Sequence, residues 1–148
     1  MPGLSADEAR SRFARAQVAR LATVGPGGAP HLVPVVFTVD GDEICTVVDA
    51  KPKASPRLAR LRNVIERPAV SLLADEYDAD WSRLWWARAD GAGRVVESGP
   101  DRERAIRLLL ARYPQYASLD GTFGAALIVR VARWRGWTMT RPGGARPR

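Results

Sequence analysis

The chain's only two lysines stand two residues apart, Lys51 and Lys53, and Arg57 and Arg60 follow closely. Cations grouped this tightly suit a phosphate or another polyanion, which they meet through charge-assisted hydrogen bonds. Ser55-Pro56, between them, reads as an N-cap followed by a proline in the first helical position. A helix N-terminus there adds unpaired backbone N–H groups and partial positive charge. With the helix starting near Pro56, Arg57 and Arg60 fall on adjacent turns of one face. The same residues also fit a solvated helix face preceded by a basic loop, and spacing alone leaves both readings open.

Other residue types narrow the chemistry. Pro34 interrupts a Val-rich run, His31-Leu32-Val33-Pro34-Val35, that otherwise suits a paired strand. Proline removes a ladder donor, so this strand lies at an edge or bulges. Such a gap can leave backbone groups free for a planar ligand, or be a simple edge feature. His31, at the start of the run, could pass a proton but has no second catalytic group beside it. Cys45 alternates among apolar residues and reads as core. The five tryptophans include the neighbours Trp85 and Trp86, which a strand must send to opposite faces. One can fill the interior while the other meets solvent, a partner subunit or a planar ligand. No Ser-His-Asp or Cys-His arrangement suggests a nucleophile. One histidine and one cysteine cannot assemble a zinc site, and Asp75, Asp78 and Asp80 are spaced as a polar loop. No metal is expected.

The elements that position these residues follow from pattern. Ser5-Ala6-Asp7-Glu8 is a capping box, and the helix after it, to about residue 16, buries Ala9, Phe13 and Ala16. Strands are expected over 20–24, 31–39 and 43–48, joined at Gly25-Pro26-Gly27-Gly28 and Asp40-Gly41 as an antiparallel meander. A helix from Ser55-Pro56 presents Leu58, Leu61 and Ile65 and ends at Arg67-Pro68. A fourth strand covers 69–74, and an acidic loop covers 76–82. A strand from Leu84 continues past Gly91 and Gly93 to Glu97, where glycines imply a bulge or bend. A helix over 101–112 buries Ala105, Ile106, Leu109 and Leu110, and a last strand spans 125–134. This is a β-rich α+β chain, and a small barrel removes its exposed edges. Residues 1–140 are expected to form one domain, with 141–148 a disordered tail.

The net charge of +7 comes almost wholly from arginines spread along the sequence. Without clustering, this composition argues against a nucleic-acid surface. The apolar runs are too short for a membrane span. Residues 1–5 lack the features of a signal peptide, and a single cysteine suits a reducing compartment. A cytoplasmic location is expected.

Taken in order, several stretches resemble the pyridoxamine 5′-phosphate oxidase-like superfamily of split β-barrels, and more closely its actinobacterial branch of F420-dependent oxidoreductases. They are Ala19-Arg20-Leu21-Ala22-Thr23-Val24, His31-Leu32-Val33-Pro34-Val35, Lys51-Pro52-Lys53, Leu61-Arg62-Asn63-Val64 and Pro68-Ala69-Val70-Ser71-Leu72-Leu73-Ala74-Asp75. Tyr77-Asp78-Ala79-Asp80-Trp81 and Leu84-Trp85-Trp86-Ala87-Arg88-Ala89-Asp90-Gly91 complete the set. The resemblance implies an FMN-binding split barrel-like fold with flanking helices, and a homodimer with cofactor sites along its interface. It implies coenzyme F420, with FMN as the alternative. The ring would lean on Val33, Pro34 and Val35, and the phosphate would meet Lys51, Lys53 and Arg57. Arg60 would help with the phosphate or with the acidic tail of F420, and Trp85 or Trp86 would cover the ring from the partner subunit. The implied activity is hydride transfer to a small organic substrate met by the loops 75–82 and 113–122. An FMN-dependent oxidase of the same superfamily and a non-catalytic cofactor carrier are the other readings.

Overall fold

Ser5 Oγ accepts from the Glu8 amide at 3.2 Å, and the Ser5 amide donates to Glu8 Oε2 at 2.9 Å. This capping box starts α1 (Ala6–Arg15), which buries Ala9 and Phe13. The computed structural model describes residues 3–49, 58–118 and 123–140. Within them follow β1 (Ala19–Val24), β2 (Pro30–Val35), β3 (Thr38–Asp40), β4 (Glu43–Asp49) and α2 (Ala59–Glu66). Then come β5 (Ala69–Glu76), β6 (Trp85–Val96), α3 (Pro100–Arg112) and β7 (Phe123–Thr138). The described helices are not long and apolar enough to cross a membrane.

The strands form one antiparallel sheet in the order β2-β1-β5-β6-β7-β4-β3. Its outermost strands, β2 and β3, are separated in the chain by Val36 and Phe37 alone. Two residues span roughly 10 Å at most between the strand ends, so the two edges must come together. The sheet therefore curls into a barrel left open between β2 and β3. This is the α+β split barrel expected from the sequence, reached by a different path. The run 31–39 is two strands, and the expected meander is two hairpins at opposite ends of the sheet. The break has a physical cause in α3. Tyr113 OH donates to the Phe37 carbonyl at 3.0 Å, and the Phe37 amide donates to Tyr113 OH at 3.4 Å. Arg112 Nη1 donates to the same carbonyl at 2.8 Å. Side chains thus take over the backbone groups that a ladder would have used.

The sheet bends where β6 and β7 slip register between Asp90 and Gly91. A Cβ on Gly91 would lie 2.1 Å from the Arg130 carbonyl, so only glycine fits this approach. β7 runs four residues beyond the expected end at Trp134, because the first half of β6 keeps it paired to Thr138. α2 begins at Ala59 rather than Pro56, since Leu58 is still extended at ψ 143°. Ser55 and Pro56 lie outside the described residues, as does the tail 141–148. The buried face of α2 is Leu61, Asn63 and Val64, while Ile65 is exposed. Asn63 Nδ2 donates to Thr23 Oγ1 at 3.0 Å, and that bond turns the helix away from the expected stripe.

Two cores result. Phe13, Leu21, Phe37, Leu72, Val64 and Leu127 belong to the barrel interior and the α1 and α2 surfaces that close it. α3 covers β4 and β7 with Ala105, Leu109 and Tyr113 against Cys45, Ala126 and Ile128. Ile106 and Leu110 are half-buried at the margin of that contact, and Ala16 is half-buried at the end of α1.

Candidate cofactor groove

Alternation along β1, β2, β5 and β6 sends Leu21, Val35, Val70, Leu72, Ala87 and Ala89 inward. It leaves the opposite face with an open groove of about 570 Å³, lined by Arg20, Ala22, Leu32, Leu73, Trp86 and Arg88. Its apolar part is accessible: Leu32 is 67% exposed, and Tyr77, at the groove's end, is 70% exposed. Apolar residues gathered on one face of a small chain fit a binding surface.

The polar part of the groove is held in place. Arg88 Nε donates to both carboxylate oxygens of Asp90 at 3.1 Å, and Ser71 Oγ donates to Asp90 Oδ1 at 2.6 Å. The guanidinium carbon lies 5.8 Å from the centroid of the Trp86 ring. Cation–π attraction and the Asp90 contact together favour this orientation of a side chain that is 40% exposed. The groove therefore combines an apolar wall with a guanidinium that Asp90 holds through Nε, a combination that suits a planar ligand with a polar or anionic group.

A family model described as pyridoxamine 5′-phosphate oxidase matches residues 5–138. The chain belongs to the pyridoxamine 5′-phosphate oxidase family. No curated protein matches it. Among solved structures, a conserved hypothetical protein of Mycobacterium tuberculosis has a TM-score of 0.73 at 22% identity, covering 97% of this chain and 92% of that one. An FAD-binding protein of Mesorhizobium loti has a TM-score of 0.70 at 16% identity, with 91% and 95% covered. A heme binding protein of Mycobacterium smegmatis has a TM-score of 0.69 at 21% identity, with 93% and 55% covered. At these identities the likeness speaks to the fold.

In this member of the pyridoxamine 5′-phosphate oxidase family the sequence-derived residues are distributed unevenly around the groove. Pro34 is exposed on the edge strand β2, opposite Arg20 and on the same face as Leu32. Val33 and Val35 point into the barrel and can offer a ligand only backbone atoms. Trp86 lines the groove, whereas Trp85 points to the other face and donates from Nε1 to Glu76 Oε2 at 3.1 Å. Arg60 is half-buried near Asp49 and Tyr116, outside the groove. Burial pushes its guanidinium below the ordinary range, with Asp49 and Tyr116 opposing that shift. Lys51, Lys53 and Arg57 lie outside the described residues. So do residues 119–122 of the second candidate loop, while Asp75 and Tyr77 of the first line the groove. His31 shares the inward parity of Val33, and its Nδ1 is buried without a partner.

Sequence reasoning singled out neither Arg20, Leu32, Leu73 and Arg88 as groove residues nor the Ser71–Asp90–Arg88 contact. The signal available was parity: Arg88 and Asp90 are two apart on a strand and must share a face with Trp86. What parity lacked was the β5–β6 register, which sets Ser71 opposite Asp90.

Proposed function

We propose that the protein is an oxidoreductase that holds coenzyme F420 in the outward groove and works as a homodimer in the cytoplasm. The observation that carries this reading is the pairing of an open apolar wall with the Asp90-held guanidinium of Arg88 in a chain of this family. Trp86, Leu32 and Leu73 would receive the planar ring, with Pro34 bordering it and the backbone of Val33 and Val35 running along the edge. Arg20 and Arg88 would face its polar groups, and Lys51, Lys53 and Arg57 would hold its phosphate. Reduced coenzyme F420 supplies a hydride when bound, so the protein's task is orientation and electrostatics.

The described residues are consistent with a site that needs no nucleophile. Cys45 is fully buried, and burial pushes its thiol up to about 11, which keeps it neutral. The groove is open along Leu32 and Tyr77, and a second copy of the chain laid there would exclude water from the ring. FMN is the second reading, favoured by the likeness of the fold to an FAD-binding protein. The substrate class under either reading is a small organic molecule reached through the 75–82 loop.

Titration of the purified protein with coenzyme F420 and, separately, with FMN tests this. Micromolar or tighter binding of F420 by fluorescence, at least tenfold tighter than FMN and weakened tenfold or more by Lys53→Ala, is the expected result. Preference for FMN moves the protein to the second reading. Binding of neither removes the cofactor account.

A further inference from the structure

A second cleft opens at the end of the barrel, where the last turn of α1 faces the ends of β5 and β7. It encloses about 780 Å³, and Arg12, Arg15, Arg20, Arg83, Glu76 and Trp85 are among its lining residues. A volume in this range accommodates a small metabolite. Among the described residues, only Arg20 and Asp75 line both this cleft and the groove.

The charges in the cleft are not balanced. Among the described residues that line it, four arginines face two carboxylates, Asp75 and Glu76. Glu76 is already engaged, accepting from Trp85 Nε1 at 3.1 Å and from Arg83 Nη2 at 3.3 Å. Arg83 also lies 4.0 Å from Asp78. Arg12, Arg15 and Arg20 have no carboxylate partner among the described residues. Arg15 donates to Ser11 Oγ at 3.2 Å, and the Arg12 guanidinium stands 5.8 Å from the centroid of the Trp85 ring. Arg12 and Arg15 are three apart on α1 and so project from one side of its last turn. The helix C-terminus tolerates cations, but that interaction leaves most of their N–H donors free.

We infer that this cleft binds a small molecule carrying two or more carboxylates, clasped by Arg12, Arg15 and Arg20 over Trp85. Guanidinium forks match carboxylate oxygens in pairs, and three of them from two elements suit a ligand with more than one anionic group. The site shares Arg20 with the groove of the cofactor reading, and on that residue it rests on that reading, but it is otherwise built from α1 and the inward-parity residue Trp85. An acidic substrate and the acidic tail of the cofactor are two sources of this one chemistry.

Trp85 reports on the site directly. Its signal is isolated as the fluorescence difference between the wild type and Trp85→Phe, and it is titrated with citrate and with triglutamate at constant ionic strength. The expected result is a saturable change with both probes, weakened at least tenfold in Arg12→Gln/Arg15→Gln. Arg15→Gln alone, at an exposed position, serves if the double variant melts early, and an at least threefold loss is then expected. No saturable change, or one unaffected by these substitutions, overturns the proposal. Repeating the citrate titration with saturating F420 separates the sources: exclusion points to the cofactor tail, and simultaneous binding points to an acidic substrate. If F420 does not bind, the first titration still decides the site by itself.

Discussion

Cys45 lies on β4 without exposed surface, packed against α3 and β7. Burial pushes its thiol up to about 11, because a thiolate there would be desolvated. An unfolded chain ionises the same group near pH 8.5. The folded state thus holds the proton more tightly, and the associated stability is complete below about pH 8.5 and lost as pH rises toward 11. This gap of about 2.5 units corresponds to on the order of 3 kcal/mol. Urea denaturation of the wild type should therefore lose stability between pH 9 and 11 more steeply than Cys45→Ala does. Parallel profiles would show that the thiol stays protonated in both states. Alternation in the sequence was enough to place Cys45 in the core. It was also enough to split Trp85 from Trp86, but not to say which faces the groove. That choice depends on which face of β6 the barrel encloses, a property of pairing with β5 and β7.

Elements whose signals are local were legible in advance: the Ser5–Glu8 capping box, the Asp40-Gly41 hairpin and, as one of the two readings of Pro34, the edge position of its strand. The break at Val36–Phe37 was not, because nothing in a Val-rich run marks a stop. Its cause is more than seventy residues away, in Arg112 and Tyr113. Arg112 also donates to the Ala16 carbonyl, and Tyr113 OH donates to the Gln17 carbonyl at 3.1 Å. The end of α3 therefore ties the exit of α1 to the β2–β3 crossing, which is the seam of the barrel. Replacing Arg112 by Leu removes the side-chain donor of the Ala16 carbonyl and leaves the Phe37 carbonyl with Tyr113 OH alone, a loss of about 1–3 kcal/mol. Hydrogen exchange should speed up first at the amides around residues 36–38, with the β5–β6 ladder protected until global unfolding. Uniform acceleration across the sheet would mean that the seam is not a separate unit of stability.

For the whole molecule, charge and surface pull in different directions. A net charge of +7 keeps copies apart at long range, yet the groove face displays Leu32, Leu73 and Tyr77 to solvent. The split-barrel architecture was legible from the order of motifs taken together. The composition of the groove was not, because it joins outward residues from strands as distant in sequence as β1 and β6. A stable dimer buries roughly 800 Å² per partner, and this face is the proposed contact. Leu32 is the discriminating position: it is 67% exposed, so a charge there costs the isolated barrel little. At an apolar interface the same charge would be desolvated without a partner. Light scattering after size exclusion should therefore find the wild type as a dimer at tens of micromolar and Leu32→Glu as a monomer with an unchanged circular dichroism spectrum. Because the second copy is proposed to complete the groove, the monomeric variant should also bind F420 at least tenfold more weakly, although Leu32 is only one part of its wall. A variant that stays dimeric would place the interface on another face. A monomeric variant with full cofactor affinity would show that each groove is complete within one chain.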